Sequence, residues 1–383
     1  GAGAIAEIVN EAQAHGFQKA FVCSDPDLVK FNVTSKVTDR LEKAGLAYQL
    51  YSDIKPNPTI DNVKHGVQAF KDSKADYIIA IGGGSSMDTA KAIGIIIANP
   101  EFEDVRSLEG TAPTKNPCVP IIAVPTTAGT AAEVTINYVI TDVERKRKFV
   151  CVDPHDMPII AVIDPEMMSS MPKGLTASTG MDALTHAIEA YVSTLNGPFT
   201  DPLALQAIEM VLEYLPASYN GNKHAREEMH YAQCLAGMAF SNALLGIVHS
   251  MAHKTGAAFS TGHIPHGCAN AIYLPYVIQY NAKDSVAAKR YAEIARRMGL
   301  EGNSEKALIN SLVAKIDEFN AKLNIPKTLK DFGINEEEFK EKIAKISELA
   351  VGDACTGSNP RAIDPAAMEK LFTCTYYGTE VDF

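Results

Sequence analysis

The sequence predicts an α/β domain with a mostly parallel sheet, followed by an all-helical domain. In the first part, short apolar runs alternate with amphipathic segments of about ten to fourteen residues, as in βαβ units. From Lys173 onward, long segments of helical period follow one another with few β-branched runs between them. Since 383 residues exceed what one hydrophobic core usually serves, we expect two domains, 1–170 and 171–383.

The apolar runs and the periodic segments define the individual elements. Predicted strands are 19–24, 46–51, 77–81, 119–124 and 159–163, with a hairpin formed by 135–141 and 148–153. Predicted helices are 34–44, 59–71, 86–98, 174–193, 201–215, 224–244, 247–258, 283–298, 304–323 and 336–349.

Composition excludes several classes of function. A net charge of −11 disfavours nucleic acid and anionic membranes as partners. No apolar stretch approaches the roughly 18 residues of a membrane span, and no basic segment followed by an apolar run opens the chain. The seven cysteines are scattered without a C-x2-C pair, which is typical of a reducing cytosol. We therefore expect a cytoplasmic protein whose partner is a small molecule.

Two loops rich in small residues are candidates for phosphate binding. The strand ending at Ile81 leads into Gly82-Gly-Gly-Ser-Ser-Met87 and then a helix, whose free N–H groups and dipole attract an anion. Met87 stands where a G-x-G-x-x-G fingerprint has its third glycine, and a tight turn needing positive φ is the structural alternative. The second loop, 125–130, has three hydroxyls that suit either a diphosphate and carboxamide or helix capping.

Asp25 follows the first predicted strand. An acidic residue at the carboxyl end of a strand can bind a ribose 2′-hydroxyl and repel a 2′-phosphate, which favours NAD over NADP. In the usual dinucleotide fold this acid lies downstream of the glycines, whereas here it lies upstream. The sequence therefore predicts a different use of the strands from the standard arrangement.

A second group of residues has the composition of a metal site. Asp182 and His186 are four residues apart, so on a helix they share one face. His249 would come from another helix and His266 from the turn after it, which completes one carboxylate and three imidazoles for Fe(II) or Zn(II). A helix-surface or capping pair is the alternative, but four of the ten histidines lie within 249–266, and His249, His253 and His266 are beside small residues. Ser250 replaces the glutamate base that a zinc-protease helix needs.

The motifs GGGSSMDTAKAIG, PTTAGTAAEVT, GMDALTHAIEAY and HSMAH…PHG, in this order, resemble the iron-containing (group III) alcohol dehydrogenase family over nearly the whole chain. The resemblance implies a dehydroquinate synthase-like architecture, a homodimer, and metal-dependent hydride transfer between NAD and a short alcohol or diol in a cleft between the domains. The segments 99–110, 133–142 and 147–158 are most similar to members that act on lactaldehyde and 1,2-propanediol.

Other functions within and outside this family remain open. The substrate can be 1,3-propanediol, butanol, ethanol or a sulfonated aldehyde, because a single methylene changes discrimination by only about 1–3 kcal/mol. A dehydroquinate-synthase-like lyase is the other enzyme class considered, but it needs several basic residues for a polyanionic substrate and 174–270 has few. A non-catalytic binding protein is disfavoured by the presence of both the glycine loop and the metal donors.

The resemblance also implies roles for individual residues. The iron ligands, with Zn²⁺ as the alternative ion, are Asp182, His186, His249 and His266. The NAD contacts are Asp25, Asn57, Gly83, Gly84, Ser85, Thr126, Thr127, Thr130, Val139 and Lys148. His253 lies near the reacting centre and is expected to relay a proton. The stretch before His266 looks longer than in similar sequences and adds His263 as an alternative ligand.

Overall fold

The computed structural model describes residues 1–383, which form two compact units, Gly1–Met171 and Pro172–Phe383. The first unit is α/β and the second contains only helices, so the predicted fold class is confirmed. The strands of the first unit are β1 Lys19–Ser24, β2 Ala47–Tyr51, β3 Tyr77–Gly82, β4 Ile121–Pro125, β5 Asn137–Asp142, β6 Arg147–Val152 and β7 Ile160–Ala161. Its α-helices are α1 Glu7–Ala14, α2 Pro26–Lys30, α3 Ser35–Lys43, α4 Ile60–Ser73 and α5 Gly84–Ala98.

The main sheet has five parallel strands in the order β2-β1-β3-β4-β7. The register pairs Ser24 with Ile81 and Gly82 with Pro125. The carboxyl ends of β1, β3 and β4 therefore lie side by side, and the loops that follow them share one edge of the sheet.

Apolar side chains on both faces hold this sheet in place. Phe21 and Ile78 belong to one buried cluster, whereas their neighbours Val22 and Ile79 belong to another. Because successive side chains of a strand point to opposite faces, each buried run serves two cores, as expected for a parallel sheet covered on both sides. β5 and β6 form the predicted antiparallel hairpin. β7 is shorter than the predicted strand 159–163 and leaves Ile159 exposed.

The second unit has ten α-helices. They are α6 Lys173–Val192, α7 Asp201–Tyr219, α8 Lys223–Ala243, α9 Ile247–Thr255, α10 His266–Asn281, α11 Ser285–Arg297, α12 Glu305–Lys322, α13 Leu329–Phe332, α14 Glu336–Val351 and α15 Pro365–Tyr377. α6 packs against α7, α8 and α10, and α10 also contacts α9 and α12. These contacts place α10 next to both α6 and α9.

Two long helices of this unit were not predicted. α10 is buried on nearly all sides, so it lacks the polar stripe that marks an amphipathic helix, and Pro275 lies inside it. α15 begins with Asp364 as its N-cap and Pro365 in its first turn, a start signal that the sequence does contain. The prediction that His266 lies in a turn was therefore wrong, because His266 is the first residue of α10.

No single helix is long and apolar enough to cross a membrane. Only α8 and α9 together reach that length and composition, and the bend between them is 103°.

Candidate functional site

Three helices of the second unit bring the predicted metal donors together. α6 contributes Asp182, α9 contributes His249, and α10 contributes His266 at its N-terminus. Asp182 Oδ1 lies 3.5 Å from His249 Nε2 and 3.7 Å from His266 Nε2. A Cβ at Gly267 would come within 1.9 Å of the Ser178 carbonyl oxygen, so only glycine lets the start of α10 approach α6 this closely.

His186 lies beside this group. Its Nε2 is 3.5 Å from Asp182 Oδ1, one helical turn away on α6. Its ring stacks on His249, with centroids 4.6 Å apart, and on Phe240 at 4.2 Å. The donor atoms of Asp182, His249 and His266 all lie within 4.8 Å of one another, and His186 is not a member of that set. The fourth proposed donor thus contacts the carboxylate and stacks on His249, but it is not part of the set in which all donor atoms are mutually close.

The donor distances suit a divalent transition metal. Metal–nitrogen and metal–oxygen bonds of about 2.1 Å in a tetrahedral site separate neighbouring donors by about 3.4 Å. The contacts of Asp182 Oδ1 with the three histidines, at 3.5–3.7 Å, are close to that spacing. One carboxylate with imidazoles is a donor set that Fe(II) and Zn(II) accept. The residues present therefore fit the metal that the sequence predicts.

Burial and neighbouring charges shift the pKa of three members of this cluster, and the shifts differ in direction. Burial alone would raise the pKa of Asp182, but the neighbouring His186 and His266 outweigh it and hold that pKa well below its usual value. Burial lowers the pKa of His266 well below its ordinary value, which keeps the imidazole neutral. Burial would also lower the pKa of His249, but Glu189 and Asp182 raise it to about 9.

Two residues at the cluster were missed by sequence reasoning. Glu189 is buried on α6, where Oε1 accepts the N–H of Val248 at 2.8 Å and Oε2 lies 2.5 Å from His249 Nδ1. Its position two turns after Asp182, on the same face of a helix, is the signal that was available. Asn270 on α10 is also buried, and its Nδ2 lies 3.3 Å from His266 Nε2.

His253 lies one turn after His249. Its Nδ1 is 3.2 Å from Asp353 Oδ2, and Lys254 Nζ lies 2.8 Å from the same oxygen. Its ring stacks on that of His266, with centroids 5.3 Å apart, and its side chain is 15% exposed. His253 therefore reaches both the donor cluster and solvent. The alternative ligand, His263, is exposed and lies outside the set of mutually close donors.

The first unit carries the predicted coenzyme residues at the carboxyl edge of its sheet. Asp25 follows β1 and caps α2 by accepting the Leu28 N–H at 3.0 Å. Gly83 is the N-cap residue of α5 and makes no side-chain cap, which leaves the first N–H groups of that helix available. Thr126 follows β4 and donates its N–H to the Gly82 carbonyl at 3.0 Å.

The two small-residue loops touch each other. A Cβ at Gly83 would lie 3.1 Å from Thr127 Cγ2, and one at Gly84 would lie 3.3 Å from Thr130 Cγ2. Positive φ in this loop occurs only at Gly82, so a turn requirement does not account for the other two glycines. Close approach of the Thr127 and Thr130 side chains accounts for them instead.

The remaining predicted coenzyme residues form a second group near the β5–β6 hairpin. Lys148 on β6 donates to Asn57 Oδ1 at 2.7 Å, and burial lowers the pKa of that lysine. Val139 on β5 donates its N–H to Asp88 Oδ2 at 3.1 Å, which ties the hairpin to α5. This hydrogen bond thus holds the β5–β6 hairpin against α5, the helix that follows the glycine loop.

Known proteins match this chain in both the α/β unit and the helical unit. The iron-containing alcohol dehydrogenase family matches residues 1–165, and the C-terminal part of the Fe-containing alcohol dehydrogenase family matches residues 176–376. Lactaldehyde reductase of Escherichia coli (strain K12) is 52% identical over 363 residues, which are 94% of this chain and 93% of that protein. NADPH-dependent butanol dehydrogenase of Clostridium saccharobutylicum is 51% identical over 385 residues, covering 100% of this chain and 97% of that protein.

A solved structure of 1,3-propanediol oxidoreductase has a TM-score of 0.92, with 37% sequence identity, and covers 98% of this chain and 97% of its own. These matches confirm the predicted family, its oxidoreductase activity and its use of NAD(H) and iron. The chain belongs to the iron-containing alcohol dehydrogenase family, in which it is close to lactaldehyde reductase, and it is an NAD-dependent enzyme that interconverts alcohols and aldehydes.

Proposed function

We propose that this enzyme interconverts lactaldehyde and 1,2-propanediol, with hydride passing directly between the nicotinamide and the substrate carbon. The observation that carries the proposal is the group of Asp182, His249 and His266, with His186 beside it. Similarity to lactaldehyde reductase supports this substrate pair, and similarity to butanol dehydrogenase makes butanol the second candidate, ahead of ethanol, 1,3-propanediol or a sulfonated aldehyde. The lyase alternative lacks this support, because both halves of the chain match alcohol dehydrogenases.

Asp182, His186, His249 and His266 would hold the metal ion. Bound there, a divalent iron supplies a Lewis acid that polarises an aldehyde carbonyl or lowers the pKa of an alcohol. Asp182 would provide the negative charge, His266 a neutral donor, and His249 a donor that releases its proton when the metal binds. The buried carboxylate of Glu189 would keep a proton on His249 Nδ1, which leaves Nε2 as the donor atom.

The coenzyme would lie on the carboxyl edge of the parallel sheet. Its diphosphate would bind the N–H groups at the start of α5, where Gly83 and Gly84 leave space. Ser85, in the first turn of α5, would lie beside the diphosphate. Thr126, Thr127 and Thr130 would contact the diphosphate or the carboxamide. Asn57, Val139 and Lys148 would form a further group of coenzyme contacts. Asp25 would bind the ribose hydroxyls and select NAD over NADP.

His253 is the proposed proton carrier. It stacks on His266 and is partly open to solvent, so it can pass a proton between the substrate oxygen and water. Asp353, on Nδ1, would hold the ring in one orientation and leave Nε2 for the transfer.

Location and assembly belong to the same proposal. We infer a cytoplasmic enzyme, because all seven cysteines are free and three of them, Cys23, Cys118 and Cys151, lie in a hydrophobic core cluster. A homodimer is proposed from the resemblance to the family, and small alcohols and aldehydes are the proposed partners.

The test is an NADH-oxidation panel over short aldehydes, with metal-stripped protein to which Fe, Zn or Mn is restored. Lactaldehyde should give the highest kcat/KM with iron restored. The same aldehydes assayed with NADPH should give a lower kcat/KM than with NADH. His266→Ala should lose turnover while still binding NADH, which fluorescence titration measures. Full activity of that variant would refute the ligand assignment, and preference for a longer alkyl aldehyde would refute the substrate.

A further inference from the structure

Asn270 is a fully buried side chain on α10, one turn after His266. Its Nδ2 lies 2.8 Å from Asp182 Oδ1, 3.2 Å from His249 Nε2 and 3.3 Å from His266 Nε2. Its Oδ1 is buried and has no hydrogen-bond partner. One amide group thus contacts three of the four proposed metal donors with its nitrogen and leaves its oxygen unpaired.

The orientation of this amide follows from the charge of Asp182. An amide nitrogen only donates hydrogen bonds, and a carboxylate oxygen only accepts them. The reversed amide would place two oxygens 2.8 Å apart at the carboxylate. A buried polar atom without a partner is costly, so the contacts of the nitrogen must outweigh the loss at Oδ1.

The three contacts differ in how they respond to a bound cation. A carboxylate oxygen has more than one lone pair. Asp182 Oδ1 can therefore accept the hydrogen bond from Asn270 and bind an ion at the same time. An imidazole that binds an ion must be neutral, and its single free lone pair in the ring plane cannot also accept from Asn270. The short contact with Asp182 is therefore compatible with an occupied site, whereas the two longer contacts with His249 and His266 belong to the metal-free protein.

We propose that Asn270 is a positioning residue of the metal site, which orders Asp182, His249 and His266 before the ion binds and keeps Asp182 oriented afterwards. The inference rests on the ligand set given under the proposed function. Residues that orient metal ligands typically change metal affinity about 10–100-fold when they are replaced. The amide nitrogen that Asn270 turns towards the donors has no lone pair to offer a metal, so its role would differ from that of a fifth ligand.

The first experiment measures the dissociation constant of Co(II) by competition with a chelator, on metal-stripped protein. Asn270→Ala should bind Co(II) about 10–100-fold more weakly than the unaltered chain, while the intensity of the cobalt visible bands at saturation stays unchanged. Asn320→Ala is the matched control, because Asn320 is also buried but donates to the backbone oxygen of Ala271. Unchanged affinity in Asn270→Ala, or a cobalt spectrum showing the loss of one donor, would overturn the proposal.

Asp182→Ala separates this inference from the proposed function. If Asp182→Ala binds Co(II) as well as the unaltered chain, the ligand set itself is wrong. If Asp182→Ala loses binding and Asn270→Ala retains it, only the role of Asn270 is wrong.

A second variant of the same size tests the metal-free state in case Asn270→Ala does not fold. Asn270→Asp replaces the donor with a carboxylate beside Asp182, so at pH 8 the melting temperature should fall more without metal than with it. An equal fall in both states would contradict the inference, because repulsion between the two carboxylates is relieved by a cation.

Discussion

Replacing Glu189 by glutamine tests whether the contact between Glu189 and His249 Nδ1 prepares that histidine to bind the metal. The carboxylate has two acceptor oxygens, one on the Val248 N–H and one on His249 Nδ1, at 2.8 and 2.5 Å. Glutamine keeps the size of the side chain but has only one oxygen. If that oxygen stays on Val248, the amide nitrogen faces His249 Nδ1 and favours the tautomer with the proton on Nε2. If the amide reverses, the Val248 N–H loses its acceptor.

The size of the effect follows from these contacts. A hydrogen bond to a charged group contributes about 1.5–3 kcal/mol, and both partners here are buried. Since about 1.4 kcal/mol corresponds to a factor of ten, the metal dissociation constant should rise about 10–150-fold in Glu189→Gln. The range measured for residues behind metal-binding histidines, about 10–100-fold, agrees with this value.

The assay is chelator competition with Zn(II) or Co(II), followed by kcat and KM for lactaldehyde at saturating metal. We expect weaker metal binding and activity that recovers in large part when the metal is supplied in excess. Glu209→Gln is the control, since Glu209 pairs with Arg297 on the surface of the same unit. Metal affinity equal to that of the unaltered chain would refute the idea that Glu189 selects the tautomer of His249.

Three further predictions concern other parts of the chain. Gly267→Ala should lower the free energy of unfolding by about 1–3 kcal/mol, measured by urea titration, because its Cβ would overlap the Ser178 carbonyl; unchanged stability would contradict the contact between the helices. Burial, opposed by Lys91, raises the pKa of Asp156 to about 7, so the folded state keeps a proton that the unfolded state releases and stability should fall as pH rises from about 4 to 7. Asp156→Asn should reduce that slope by about 1.4 kcal/mol per pH unit, and an unaltered slope in urea titrations at pH 5, 6 and 7 would show that Asp156 titrates normally. Asp25→Asn should retain the helix cap and the melting temperature but raise kcat/KM with NADPH relative to NADH, and no change in that ratio would remove Asp25 from coenzyme selection.

Local patterns account for the parts of the fold that were predicted correctly. β3 is a short run of buried apolar residues that ends in glycines, so strand, loop and helix were all visible in one segment. The β5–β6 hairpin was visible for the same reason, since charged residues separate two alternating runs. α10 was missed because a helix buried on all sides has no periodic polar face, and its internal Pro275 reads as a helix breaker.

The sequence by itself determined which chemistry is available: a glycine loop after a buried strand, and a carboxylate and imidazole four residues apart on one helical face. Tertiary structure alone decided which groups support that chemistry, because Glu189 and His249 are 60 residues apart and Asn270 and Asp182 are 88 apart. Such pairs have no local pattern. They meet because α10 packs against both α6 and α9, and Gly267 allows the backbones of α10 and α6 to approach within a distance that no side chain permits.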